Sequence, residues 1–104
     1  MFGRKKSASA PEVHSVAGVS ISEAPRRERT TIIGKVVRMQ SKPAQGLPTM
    51  VVSIGDDTGT CIATWTGRRS IGAITLGRRI AITGVGTDAS GILTFVNPEY
   101  QLLV

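Results

Sequence analysis

The sequence has few cysteine, histidine and aromatic residues, and each shortage excludes a kind of site. Cys61 is the only cysteine among the 104 residues, so the chain can form neither an intrachain disulfide nor a multi-cysteine metal site. His14 is the only histidine and stands alone. Aromatic residues make up 4% of the chain, so a core must be built from Val, Ile, Leu and Ala. The low use of cysteine favours a reducing, cytoplasmic setting.

The sequence also lacks a long apolar run. Glu12, His14 and Glu23 interrupt every apolar stretch near the amino terminus. A signal peptide requires an uninterrupted apolar segment, and a membrane-spanning helix requires about 20 apolar residues. We therefore expect a soluble protein without either segment.

Negative charge is scarce relative to positive charge. Thirteen Lys and Arg residues against seven Asp and Glu residues give a net charge of +6. Residues 1–29 and residues 30–104 each contribute +3 to that total. Such a balance favours a nucleic acid, an anionic lipid or an acidic protein as the partner.

The composition changes at residue 30. Residues 1–29 are rich in Ser, Ala, Gly and Pro, with charges at both ends, and cannot bury enough apolar surface to offset chain entropy. We predict a disordered basic arm over residues 1–29 and one folded domain over residues 30–104. A domain of that size is small but can fold alone.

The pattern after residue 30 predicts short strands. The turn residues Asp56, Asp57 and Gly59 separate two stretches in which apolar and small polar residues alternate with a period of two. Gly34 lies within a β-branched run and indicates a bend or bulge in a long first strand. The predicted strands cover residues 30–39, 50–54, 60–66, 78–85 and 91–96. The remaining predictions are loops at 40–49 and 86–90, one helical turn at 69–74 and an extended tail at 99–104.

Five strands with a short helical turn between the third and the fourth are typical of one all-β fold. This order is that of the OB-fold, a partly open five-stranded barrel whose face commonly binds oligonucleotides. A five-stranded sandwich or an SH3-like barrel satisfies the same alternation and stays open as an alternative.

Five stretches of the sequence are notable together: Gly34-Lys-Val36, Ile54-Gly-Asp-Asp-Thr-Gly59, Leu76-Gly77, Ile80-Ala-Ile-Thr-Gly84 and Asn97-Pro-Glu-Tyr100. They resemble the OB-fold nucleic-acid-binding domain of anticodon-binding modules and of the wedge domain of the RecG helicase. The resemblance covers residues 30–101, and Trp65-Thr-Gly-Arg-Arg69 is similar to small stand-alone OB-fold proteins of actinobacteria. It implies a binding module. The chain has no Gly-x-x-x-x-Gly-Lys-[Ser/Thr] loop, so it lacks the ATPase motor of the helicase.

Basic residues are expected to gather at one edge of the sheet. In an antiparallel meander, the end of the first strand, the start of the second and the end of the third lie at the same edge. The predicted nucleic-acid-binding residues are Lys35, Arg38, Lys42, Trp65, Arg68 and Arg69. Such a group can neutralise phosphates while an aromatic ring stacks on a base. The alternative is an ordinary solvated rim with Trp65 in the core.

The alternation of residues in the third predicted strand indicates which side of the sheet Trp65 faces. Cys61, Ala63 and Trp65 fall on one side of the strand, and the run of small and apolar residues indicates that this side faces inward. Trp65 is then half-buried, which favours a supporting role over base stacking. We also expect Phe95 in the core and Tyr100 beneath the rim, with its hydroxyl satisfied locally.

The outward side of the predicted sheet is aliphatic. It presents Ile33, Val37, Val51 and Ile62, with almost no aromatic platform for bases. Affinity for nucleic acid is then modest and dominated by phosphate contacts, or the face is a protein interface. We expect a non-catalytic module that binds single-stranded DNA or RNA with low sequence specificity. The alternative is a protein-interaction or self-associating domain that uses the aliphatic face.

No catalytic constellation is visible in the sequence. Asp57-Thr-Gly59 matches the three residues of an aspartic protease, but Gly55 and Asp56 stand where those enzymes place two apolar residues. Cys61 has no evident base, and the two aspartates are better explained as turn formers than as metal ligands. We therefore predict no enzyme activity, no cofactor and no metal.

Overall fold

The structure is a computed structural model that describes residues 12–13, 17–44, 46–67 and 74–104. Within those ranges the chain forms seven strands and a single 3₁₀ turn. In chain order these are β1 (Glu12–Val13), the 3₁₀ turn (Ile21–Glu23), β2 (Arg29–Ala44), β3 (Leu47–Asp56), β4 (Gly59–Thr66), β5 (Arg79–Ala89), β6 (Ile92–Val96) and β7 (Glu99–Leu103). The predicted all-β class is confirmed.

Five of the strands pair in a closed ring. β2, β3 and β4 form an antiparallel meander, and β5 pairs antiparallel with both β2 and β6. The ring closes where β4 and β6 pair in parallel, through residues 62–64 and 94–96. Outside the ring, β7 adds to β5, and β1 adds in parallel to β7.

β2 pairs with both β5 and β3, because it is long and changes partner along its length. Residues 29–35 pair with β5, and residues 35–44 pair with β3. A bulge lies between Val36 and Arg38, just after the strand changes partner. Gly34 lies in the crowded part of this crossing, because a Cβ there would be 2.7 Å from the backbone oxygen of Gly55. The bent first strand of the prediction is present, with its bulge a few residues beyond the glycine.

The strands are longer than the prolines and glycines predict. Residues 40–49 are not a loop, because β2 runs to Ala44 and β3 begins at Leu47. Pro43 and Pro48 lie opposite each other across the hairpin. Neither has an N–H, so their pair occupies a position at which the two strands exchange no hydrogen bonds. The ladder therefore passes through both prolines.

Two further stretches, predicted as a loop and as an extended tail, also belong to strands. β5 continues through the predicted loop at 86–90 to Ala89, and the chain reverses at Ser90 and Gly91, both at positive φ. The expected tail at 99–104 contains β7, whose residues 99–102 pair with β5. The predicted helical turn at 69–74 falls almost wholly on residues 68–73, which lie outside the described residues, and it stays a prediction.

Residues 17–29 are part of the folded unit, which differs from the predicted disordered arm over that part of its length. Ile21 is only 4% exposed and joins the core cluster together with Ala24. Val19 bridges to Ile32 of β2, and its N–H donates to the Thr31 oxygen. Burial of Ile21 and Ala24, together with these backbone contacts, thus joins a stretch of otherwise polar composition to the folded unit. Residues 1–11 and 14–16 of the predicted arm lie outside the described residues.

The core is aliphatic, as the shortage of aromatic residues predicts. Alternate residues of β3, β4 and β6 point into the ring, and Phe95 is fully buried among them, as predicted. The largest fully buried side chains of the described residues are Ile32, Val36, Val52, Ile54, Cys61, Ile80, Ile82, Phe95 and Leu102. The part of the chain that the structure describes contains no helix that is both long and apolar enough to cross a membrane.

Candidate functional site

The outward side of β2, β3 and β4 forms one continuous three-stranded face. Lys42 pairs with Thr49, which pairs in turn with Thr66, so the three lie in a row across the sheet. Because neighbouring strands lie about 4.8 Å apart, the backbones of Lys42 and Thr66 are about 10 Å apart. The outward parity predicted for Ile62 and Thr64 holds, since Cys61 and Ala63 beside them are buried.

Three exposed basic residues lie along β2 on this face, and we call Lys35, Arg38 and Lys42 the β2 cation line. Lys35 and Arg38 are three positions apart, which in a regular strand would turn them to opposite sides. The bulge inserts one extra residue, Val37, and so returns Arg38 to the side of Lys35. The sequence pattern alone did not contain this register shift.

The cation line has no acidic partner among the described residues. The two ion pairs of the described chain are elsewhere: Arg26 with Asp88 at 3.4 Å and Arg29 with Glu99 at 2.9 Å. Arg79 donates to the Val104 oxygen at 3.0 Å. The positive charge of the cation line is therefore not neutralised by those carboxylates and faces solvent.

Arg68 and Arg69 lie outside the described residues, so their place beside the cation line stays a prediction. The residue before them is described: the Gly67 N–H donates to the Pro48 oxygen at 2.9 Å. Pro48 pairs with Pro43, the neighbour of Lys42. The chain thus leaves β4 at the end of the face where Lys42 lies.

Trp65 lies on the other side of β4 from Thr64 and Thr66, away from the cation line. Its indole Nε1–H donates to the Pro98 oxygen at 2.9 Å. Its ring meets Tyr100 edge to face, with centroids 5.8 Å apart. Both rings pack against the core cluster. The structure therefore brings Lys35, Arg38 and Lys42 together on one face and does not bring Trp65 to them.

The turn between β3 and β4 is held by Asp56. One carboxylate oxygen accepts hydrogen bonds from the Thr58 N–H, the Thr58 hydroxyl and the Gly59 N–H, at 2.6–3.0 Å. The other accepts one from the Ile21 N–H at 2.9 Å, which fixes the 3₁₀ turn. Burial raises the pKa of Asp56, but these hydrogen bonds outweigh it and hold the pKa below its ordinary value. The predicted turn former is thus also a clamp on the amino-terminal segment.

The described residues contain no group of three or more His, Cys, Asp or Glu side chains placed to hold a metal ion. Cys61 is fully buried, and burial together with the charge of Asp56 raises the pKa of its thiol to about 12. A thiol in that state is a weak nucleophile.

Comparison with known proteins finds no family model that matches this chain and no curated protein that matches it. The function is therefore inferred from the residues and their geometry.

Proposed function

We propose that the chain is an OB-fold module that binds single-stranded nucleic acid without catalysis. The ring of five strands in the order β2–β3–β4–β6–β5 supports the fold, since an OB-fold is a five-stranded, partly open barrel. In such a barrel the second and third strands and the loops joining strands one to two and four to five form the oligonucleotide site. Here those strands are β3 and β4, and the loops are the turns after Ala44 and after Ala89.

The observation that carries the proposal is the uncompensated β2 cation line. Lys35, Arg38 and Lys42 run along the edge of the β3–β4 face, and each is exposed. A row of cations on a strand can track the phosphates of an extended chain. Arg68 and Arg69 would extend the row at the Lys42 end if they follow the direction of β4.

The small polar and aliphatic residues of the face indicate what kind of binding to expect. Val51, Ser53, Ile62 and Thr64 offer no aromatic ring on which a base can stack. Phosphate contacts carry no sequence information. We therefore expect weak, salt-sensitive binding with low sequence preference, to DNA and RNA alike.

The test is fluorescence anisotropy of a labelled 15-mer of thymidylate, titrated at several salt concentrations. Three neutralised phosphates on a single strand predict a log–log slope of about −2, and five predict about −3.5. The double variant Arg38→Gln/Lys42→Gln should lower the magnitude of the slope by about 1.4. The matched control is Arg26→Gln/Arg29→Gln, which removes the same charge from residues that already have acidic partners.

Equal loss of affinity in both double variants would mean that net charge, rather than the cation line, attracts the strand. Absence of binding at low salt would contradict the proposal altogether. The second candidate, a protein interface on the aliphatic face, is less favoured because Val51 and Ile62 are half-buried and only Val37 is well exposed, at 54%.

A further inference from the structure

We call the side of β2 that faces away from β3 its outer edge, and the backbone partner of this edge changes along the strand. Over residues 29–35 it pairs with β5. At Val36 the N–H donates to the Arg78 oxygen, and the oxygen accepts from the Gly77 N–H. Beyond that point, no strand and no backbone hydrogen bond of the described residues reaches this side of β2, although the strand continues to Ala44.

The proline pair determines which backbone groups this edge offers. Because Pro43 and Pro48 cannot exchange hydrogen bonds, the alternation of an antiparallel ladder makes Lys42 and Gln40 the residues that bond to β3. Met39 and Ser41 then direct their N–H and C=O groups away from β3. The Pro48 oxygen agrees with this assignment, since it accepts from Gly67 and so faces β4. Among the described residues, this edge therefore has two donors and two acceptors, in strand spacing, that no backbone group pairs with.

The side chains along this edge indicate which kind of extended segment can pair with it. Arg38, Gln40 and Lys42 share the outward face, and Met39 packs inward against the core cluster. Two cations thus stand four residues apart, on either side of the open backbone groups. An extended segment with a carboxylate opposite each would satisfy both the backbone and the charges.

A second copy of this chain fits the same edge poorly. The two-fold antiparallel register that uses Met39 and Ser41 of both copies places Arg38 opposite Lys42 of the other copy, twice. Like charges directly opposite each other destabilise a strand pair. Lys and Pro on an edge strand are also a common protection against self-association. Charge complementarity instead favours an acidic occupant.

We propose that the outer edge of β2 at Met39 and Ser41 is a docking site for an extended acidic segment of a partner protein, which adds to the sheet as a further strand. Acidic residues four apart in that segment would face Arg38 and Lys42. Since the same two side chains belong to the β2 cation line, the segment and a nucleic acid would exclude each other.

The test uses the full chain and three acetylated, amidated nonapeptides labelled with fluorescein. SVEVTVEVS carries its glutamates four apart on one face, and its side-chain order reads the same in both strand directions. SVEVTEVVS has the same composition with the glutamates on opposite faces, and SVQVTVQVS lacks the charge. We expect SVEVTVEVS to bind at least about tenfold more tightly than either control. Equal binding of the three peptides would overturn the proposal.

Ser41→Pro separates this site from the nucleic-acid site. The substitution removes an N–H that faces away from β3, so the hairpin stays intact, and Ser41→Ala is the matched control that keeps the N–H. We expect Ser41→Pro to weaken SVEVTVEVS by at least about tenfold and to leave thymidylate 15-mer binding unchanged. Unchanged peptide binding in a folded Ser41→Pro protein would overturn the proposal, whatever the oligonucleotide result.

A second experiment changes the peptide and leaves the protein unaltered. N-methylation of the two valines between the glutamates of SVEVTVEVS removes the donors that would pair with Met39 and Ser41. N-methylation of the central threonine removes a donor that faces away. We expect only the first change to abolish binding, and equal effects of the two would contradict pairing through the backbone.

Discussion

At the scale of single residues, Gly34 has a steric role that its type alone only hints at. A glycine in a strand indicates a bulge or a close approach, and here it is the approach. A Cβ at Gly34 would lie 2.7 Å from both the Gly55 oxygen and Cγ2 of Ile54. The backbone oxygen cannot move aside without disturbing the β2–β3 ladder.

We expect Gly34→Ala to lower the free energy of unfolding by about 1–3 kcal/mol, because it overpacks a rigid crossing. The measurement is urea denaturation followed by tryptophan fluorescence. Gly55→Ala is the matched control, since a Cβ there meets nothing closer than 3.6 Å. Similar losses in both variants would contradict a specific clash at Gly34.

Residue parity was predictable from the sequence where the strand is regular. Cys61, Ala63 and Trp65 share a side of β4 as the alternation indicates, because no residue is inserted in that strand. Lys35 and Arg38 share a side only because of the bulge at Val37. The bulge lies where β2 stops pairing with β5 and continues with β3. This change of partner depends on the tertiary fold, which the local alternation of residues does not encode.

At the scale of elements, the β3–β4 turn and the amino-terminal segment form one connected unit through Asp56. The carboxylate accepts from Thr58 and Gly59 in its own turn and from Ile21 across 35 positions of sequence. The turn was predictable from Asp and Gly in the sequence. The contact to Ile21 was not, because nothing in the composition of residues 17–29 specifies where they dock.

The lowered pKa of Asp56 makes this unit sensitive to acid. A carboxyl whose pKa is lower in the folded state stabilises the fold above its unfolded pKa, near 3.8, and that contribution is lost as the pH falls through the folded value. We therefore expect stability to fall below about pH 4, and Asp56→Asn to reduce that dependence. Urea denaturation between pH 3 and pH 6 measures it.

Asp57→Asn is the control for that experiment, since it removes the same charge from an exposed neighbour. An identical change of the pH dependence in both variants would show that general charge, rather than the Asp56 clamp, is responsible. Asp56→Asn should also loosen residues 17–24, seen as faster hydrogen exchange at the Ile21 N–H.

The β2–β3 hairpin shows why proline is an uncertain sign of a loop. Pro43 and Pro48 read as loop residues one at a time, but as a cross-strand pair they remove hydrogen-bond donors only where the ladder needs none. The pairing partner of a residue cannot be read from its own neighbours in sequence. The hairpin was therefore predicted several residues too short on each strand.

At the scale of the whole molecule, Cys61 reports on the intact core. Its side chain is fully buried, and burial, with the charge of Asp56, raises the pKa of the thiol to about 12. We expect the native protein to react with an aromatic disulfide reagent at pH 8 only as fast as it opens, and the urea-unfolded protein to react at once. Prompt reaction of the folded protein would contradict the closed core.

The closed ring also has a kinetic meaning. The two hairpins of the β2–β3–β4 meander join neighbouring segments, whereas the β4–β6 and β2–β5 pairs join segments 32 and about 50 positions apart. Contacts between distant segments carry a larger entropy of loop closure and slow folding. The meander is thus suited to form early, and the β4–β6 and β2–β5 pairs, which together close the ring, are suited to form late, so the time needed to form both pairs is the time that the chain spends with its core open to water.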